Sequence, residues 1–422
     1  MSLVASRADV GAARPRYPLF DSIRIVAAIT VIVSHSFALL GHPEPQPVSF
    51  AGYPLTLGTL AVGVFFIVSG FLITASWEAN RSLWAYSVKR VFRIWPALIV
   101  VVVGAAYLLG PVVTTLSGRA YLKDPATWAY VKNNITMIPI TNTLPGVFTS
   151  LPVPAVNGSL WTLPYEVLCY IGVAAVGLLG ILKHRWMVLV LALLSLAWCE
   201  SVFRDPTGWW SFVPYVGLIA LLVVLLVPWF CVGAAMRSWH PAVPSGPLPG
   251  AAAVVVLGLG VAFDAPALII PGIGFLTIWV GTLPFSWHLP KWAGDPSYGM
   301  YVFAFPIQQC LIYFHLCADR VPVLIAEATA LSFVAGVISW HLLERPAVAV
   351  GSRLSKAPKR AWQRSRHARI ARGTAPVEGS PVRDSPVAES PVAESPVAES
   401  PVAGEPALVP VSRARGRRRG PS

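Results

Sequence analysis

Apolar positions along this chain do not alternate with polar ones at short period. They gather into ten long runs, near residues 20–41, 58–77, 89–110, 161–181, 186–202, 211–237, 249–263, 265–285, 297–316 and 322–343. A helix needs roughly 20 consecutive apolar residues to cross a bilayer, and backbone groups in lipid must be paired internally. The pattern therefore predicts an all-α, polytopic transmembrane helix bundle of about ten spans. The runs at 186–202 and 249–263 are short, which bilayer thinning or re-entrant shapes accommodate. Asp264 and Pro266 interrupt the stretch 249–285, so span boundaries are least defined there. The first run is long and lacks an A-x-A site, so it reads as a permanent span, not a cleaved leader.

Composition agrees with the pattern. The 422 residues are 55% hydrophobic and 12% charged, against about 25% charged in soluble domains. The net charge is +13, and much of the excess lies after Arg345, outside the apolar runs. That distribution argues against a nucleic-acid-binding fold. Ten spans place both termini on one side. With that side cytoplasmic, the inner loops hold Arg7, Arg14, Arg16, Arg81, Lys89, Arg90, Arg93, Lys183, Arg185, Arg237 and Lys291. The outer loops hold Arg119, Lys123, Lys132, Arg204 and Arg320. The positive-inside rule favours this orientation. The chain then divides into a cytoplasmic N-terminal segment (1–16), a transmembrane domain (17–347) and a cytoplasmic tail (348–422). The tail carries SPVAE-type repeats from Ser380 to Gly404 and ends in RARGRRRG. A proline in every unit and few large apolar residues predict disorder; the basic end suits anionic headgroups. Residues 111–160 form the one long extracytoplasmic loop, and loops of that length are usually functional. The sequons at Asn134 and Asn157 read as chance matches. Cys169, Cys199, Cys231, Cys310 and Cys317 show no metal-ligand or CxxC spacing and read as small apolar fillers.

The chemistry lies in polar residues inside the runs. Arg24 and His35 share the first. Eleven residues are three helical turns plus about 20°, so the two lie nearly on one face, roughly 16 Å apart along the axis. The third run opens VKRVFRIWP, placing Arg90 and Arg93 three residues apart on a shared face. Taken alone, Arg24 also suits snorkelling, His35 a hydrogen-bonded packing role, and the Arg90/Arg93 cluster a positive-inside anchor. Glu166 sits in the run that begins NGSLWTLPYEVLCY, at a depth that matches His35. Ionisable groups within spans are functional candidates by default. A Glu–His pair there makes a base able to take a proton from a hydroxyl. A cationic inner layer and a His/Glu outer layer, about 16 Å apart, fit a donor with an anionic head and a long arm, such as acyl-coenzyme A.

These stretches, with VGVFFIVSGFLITAS, FCVGAAM, DPSYGMYVFAFPIQQ and LLERP, resemble in order the acyltransferase-3 family of integral membrane acyltransferases, over roughly residues 17–347. The resemblance implies transfer of an acyl group, commonly acetyl, from cytoplasmic acyl-CoA to a hydroxyl of a cell-envelope glycan, glycolipid or secondary metabolite. It implies no permanently bound cofactor or metal: acyl-CoA (acetyl-CoA) is a co-substrate. The expected partners are acyl-CoA, the acceptor and membrane lipids, with no nucleic acid, at the cell membrane. Donor binding falls to Arg24, Arg90 and Arg93. His35 is the expected general base, with Glu166 orienting it or stabilising its protonated form. Asn157, Ser159 and Trp161 are candidates for the acceptor cavity, and Tyr298 and Tyr301 for flanking the donor. Trp161, Tyr298 and Tyr301 serve equally as interfacial anchors. Many members carry a histidine where this chain has Ala304, so no second histidine is expected to share the chemistry. The rival reading from another class is a transporter or flippase of a lipid-linked glycan, which would need polar groups at similar depth. No inverted repeat supports it. A third reading is a scaffold whose tail recruits a partner.

Overall fold

In the computed structural model, residues 17–205, 214–240, 246–284, 290 and 292–357 are described. The repeat tail, its basic end, the first sixteen residues and Lys291 lie outside them. Every apolar run contains a helix: α1 (Pro18–Leu39), α2 (Leu57–Ala79), α3 (Leu83–Gly104), then, after three short helices, α7 (Leu163–Leu178), α8 (Arg185–Arg204), α9 (Pro214–Trp239), α10 (Pro247–Ala262), α11 (Pro266–Thr282), α12 (Ser297–Tyr313) and α13 (Val321–Ser339). Among the described residues, six helical stretches are long and apolar enough to cross a membrane: those containing α1, α2, α3, α7, α8 and α13. The apolar stretches of α9, α10 and α11 are shorter, as is α12.

Two features were not read from the sequence. The 111–160 segment is folded. It carries α4 (Gly110–Val113), α5 (Gly118–Lys123) and α6 (Pro125–Thr136), and Thr114 bridges Val147. The phenol of Tyr121 is buried and donates to Ala106 O at 2.7 Å, while burial pushes its pKa up to about 12. Asn134 spends its side-chain amide on Thr141 and is fully buried, which fits a chance sequon. The last helix also continues beyond the expected boundary: a π turn (Trp340–Glu344) joins α13 to α14 (Arg345–Leu354). Pro346 falls in the first turn of α14, just after the π turn, and the helix runs on through it.

The bundle centre is held by close backbone approach, as expected where helices cannot use the hydrophobic effect against one another. On α2, a Cβ at Gly70 would stand 2.1 Å from Phe230 O. On α9, one at Gly233 would stand 2.0 Å from Ile67 O. Glycine is required at both positions because backbone occupies the space. Beside this contact, Trp229, Phe66, Ile67 and Phe71 form the buried core. Between α1 and α12, Gln308 donates to Ile32 O at 2.9 Å and Ser36 Oγ at 2.7 Å. Ala304, where the family pattern offers histidine, is buried against α1. All five cysteines are free.

Candidate functional site

Two cavities adjoin at the bundle centre. The first, about 140 Å³, is lined by Arg24 from α1, Ser69 from α2, Arg90 and Arg93 from α3, Glu166 and Tyr170 from α7, and Tyr298 and Tyr301 from α12. Chain segments far apart in sequence thus bring together all three expected donor-binding arginines and both expected tyrosines. The i, i+3 spacing aims Arg90 and Arg93 the same way.

The arginines are not equivalent. Asp295, two residues before α12, accepts from Arg24 Nη1 and from Arg93 Nη2, both at 2.8 Å. Ser297 Oγ fixes the other carboxylate oxygen at 2.7 Å. Arg93 also pairs with Glu344 in the π turn. Glu344 is fully buried and accepts from Ser339 Oγ at 3.0 Å. The Arg93 guanidinium lies over the rings of Tyr298 and Trp340, at 5.5 and 5.8 Å. Burial pushes the Asp295 carboxyl up, but the Arg24 and Arg93 charges outweigh it and hold it well below the usual carboxylate range. Arg24, Asp295, Arg93 and Glu344 therefore form a charge-balanced network. Arg90 differs. Among the described residues it makes no ion pair, its buried Nε has no partner, and its guanidinium lies 5.7 Å from the Tyr170 ring centroid. It is the guanidinium most available to an incoming anion.

The second cavity, about 260 Å³, is lined by His35, Glu44, Thr56, Thr59, Trp161 and Tyr301, with Val31, Gly58 and Val62. Val62 and Tyr301 line both cavities and form their shared wall. The Tyr301 hydroxyl is held at 2.7 Å from Thr162 Oγ1 and 2.9 Å from Ser159 O. The His35 ring packs edge-on to Phe305, centroids 5.2 Å apart, and its buried Nδ1 has no partner.

His35 and Glu166 are not brought together. Glu166 faces the arginine cavity, where it accepts from the Tyr170 hydroxyl and from Ser69 Oγ at 3.3 Å. The depth count set Glu166 level with His35, but the structure groups it with Arg24, Arg90 and Arg93 instead. A 3₁₀ turn, Gly158–Thr162, precedes α7, so Glu166 falls in the first turn of that helix. The acid in the histidine cavity is Glu44, from the loop after α1, which the sequence reading passed over because it lies outside every apolar run. Asp295 and Glu344 were also assigned no role, although both fall inside quoted stretches, DPSYGMY and LLERP. Trp161 lines the histidine cavity as expected. Asn157 and Ser159 serve packing. The Asn157 amide donates to Val302 O at 2.9 Å, its carbonyl caps the 3₁₀ turn through Ser159 N, and both residues are buried.

Comparison with known proteins bears on this arrangement. A family model described as "Acyltransferase domain" matches residues 17–343. The O-acetyl transferase of Shigella phage Sf6 is 32% identical over 336 residues, covering 77% of this chain and 94% of that protein. Nodulation protein 10 of Rhizobium leguminosarum bv. viciae is 37% identical over 81 residues, 19% of this chain and 22% of that protein. The peptidoglycan O-acetyltransferase OatA of Listeria monocytogenes is 25% identical over 342 residues, 70% of this chain and 50% of that protein. No solved structure matches.

Proposed function

The chain belongs to the acyltransferase-3 family and is a multi-pass membrane O-acyltransferase; from that premise we propose that it moves an acetyl group from acetyl-CoA to a hydroxyl of a cell-envelope glycan. The observation that carries this reading is the pairing of cavities: three arginines around one, His35 in the other, and Val62 and Tyr301 lining both. The rise of α1 from Arg24 to His35, about 16 Å, is comparable to a pantetheine arm.

In this reading the donor's phosphates meet Arg90, with Arg24 and Arg93 held in place behind it by Asp295 and Glu344. The arm passes Val62 and Tyr301 and delivers the thioester to His35. The unpartnered imidazole takes the proton of the acceptor hydroxyl as its oxygen attacks the thioester carbonyl. The tetrahedral adduct expels the CoA thiolate, which takes that proton from His35. The products are an acetyl ester and CoA-SH. Acetyl as the transferred group draws support from the names of the phage and Listeria relatives, and an envelope glycan as acceptor from the name of the Listeria relative. The positive-inside bias supports a cytoplasmic N-terminus, so in this reading the arginine cavity opens toward the side where acetyl-CoA is supplied. The transporter reading loses ground because the family match is to an acyltransferase.

The test is His35→Ala in full-length protein in nanodiscs, read as thiol release from acetyl-CoA with a soluble cell-wall glycan digest as acceptor. Loss of a general base lowers the rate about 10²- to 10⁴-fold. Near-normal release by a folded His35→Ala protein removes His35 from the mechanism.

A further inference from the structure

The structure assigns to Glu44 the role of positioning His35: its carboxylate, fixed by Ser34, completes the base from the loop after α1. The inference rests on the reading of His35 as base, and it moves the acid partner from a membrane helix to a loop.

Three observations converge on Glu44. First, His35 needs a partner. Its Nδ1 is buried and bare, whereas a buried imidazole that works as a base is ordinarily held in one orientation and tautomer by an acceptor on its far nitrogen. Second, Glu44 is the one charged residue among the described groups lining that cavity. The other polar and aromatic residues around His35 are Thr56 at the N-cap of α2, Thr59 in its first turn, Trp161 on the 3₁₀ turn, and Tyr301 and Phe305 on α12. None carries charge at neutral pH, and the Tyr301 hydroxyl is already engaged by Thr162 and the Ser159 carbonyl. Glu166 faces the other cavity, beside Tyr170 and Ser69.

Third, Glu44 is held. Ser34 Oγ donates to its carboxylate and accepts from Gly58 N at 2.9 Å. Ser34 is fully buried and immediately precedes His35 on α1. The chain Gly58 N–H, Ser34 hydroxyl, Glu44 carboxylate thus ties the first turn of α2 to α1 and to the loop, at the turn that carries the base. Gly58 leaves little spare room in it: a Cβ there would lie 3.1 Å from Ser34 Oγ and 3.8 Å from Glu44 Oε2. A loop glutamate with no function would turn to solvent, since burying a carboxylate is costly unless it is paired or hydrogen-bonded. This one is half-buried, lines the histidine cavity and is tethered to the residue next to the base.

A positioning acid stabilises the imidazolium that forms as the hydroxyl proton is taken, so it acts on the chemical step and not on donor capture. The experiment compares wild type, His35→Ala, Glu44→Gln and Glu44→Asp, full length in nanodiscs, with acetyl-CoA as donor and a soluble cell-wall glycan digest as acceptor. Glu44→Gln is expected to lower kcat at least about tenfold with the acetyl-CoA KM unchanged, and Glu44→Asp to recover part of the loss. Should Glu44→Gln not fold, Ser34→Ala carries the test: it frees the carboxylate without removing it and should lower kcat several-fold at constant donor KM. With His35→Ala inactive, wild-type kcat in folded Glu44→Gln or Ser34→Ala overturns the assignment. So does an effect of Glu44→Gln confined to donor KM. Full activity of His35→Ala instead defeats the underlying choice of base, so the two failures are told apart.

Discussion

Arg90 and Arg93 sit one turn apart on α3, yet their replacement by alanine should have opposite signatures. Arg93 holds two carboxylates. Its loss leaves Glu344, which is fully buried, without an ion pair among the described residues, and strips Asp295 of one of its two arginines. The Arg93 and Asp295 side chains are only 18% and 16% exposed, so solvent replaces the lost charge poorly. Breaking a buried pair by removing one partner costs about 3–5 kcal/mol. Arg93→Ala should therefore unfold at a clearly lower temperature, on the order of 10 °C below wild type. Among the described residues Arg90 has no ion pair to lose, only its contact with the Tyr170 ring, worth about 0.5–1 kcal/mol. Its removal should barely move the melting temperature but should delete a charge-assisted phosphate contact of roughly 1.5–3 kcal/mol, a ten- to hundredfold loss of acetyl-CoA affinity. Tryptophan-fluorescence melting and calorimetric titration of acetyl-CoA, on the same nanodisc samples, read both quantities. Wild-type melting in Arg93→Ala together with wild-type acetyl-CoA affinity in Arg90→Ala would refute the division of labour.

Three further outcomes follow from the same geometry. Glu166→Gln removes a negative charge from the arginine cavity, so acetyl-CoA should bind more tightly, by a few-fold in calorimetry; weaker binding would show that its bond to Tyr170 matters more than its charge. Asp295 has a lowered folded pKa, so its stabilisation is fully present above the unfolded value of about 3.9 and is lost only as pH falls through the folded value; the melting-temperature gap between wild type and Asp295→Asn should stay constant from about pH 8 to pH 5, and a gap that closes within that range contradicts the pairing. Gly70→Val forces a side chain into the space of Phe230 O and should cost several kcal/mol by overpacking, seen as aggregation or loss of the monodisperse peak on size exclusion; a well-folded Gly70→Val protein would mean that α2 and α9 are not so closely apposed.

Much of this arrangement was legible in the sequence because hydropathy and helical period are one-dimensional signals. All ten apolar runs contain helices, and the spacing of Arg90 and Arg93 correctly placed both on one face. The partners were not legible. Arg24 meets Asp295 across 271 residues, and Arg93 meets Glu344 across 251, and no periodicity reports such distant pairings. A residue count from the end of a span does not say which side chains converge, which is why Glu166, counted level with His35, lines the arginine cavity instead. Glu44 escaped notice for a related reason. Outside the apolar runs a carboxylate carries no penalty and so attracts no attention, and only the fold reveals that its loop turns back toward α1. The 111–160 segment looked like loop because its helices are short and polar, stabilised by local caps and by the burial of Tyr121 and Tyr130.

The central claim is that an acetyl group held on an arginine-bound CoA is handed to an acceptor hydroxyl at His35. The most direct measurement reconstitutes the full-length protein in nanodiscs and follows label from [¹⁴C-acetyl]-CoA into a cell-wall glycan digest, with free CoA thiol counted in parallel. The account predicts base-labile label in the glycan, one thiol released per acetyl transferred, and loss of both with His35→Ala. Transfer that persists undiminished in folded His35→Ala, or wild-type protein that labels the glycan from another acetyl donor but never from acetyl-CoA, would contradict it.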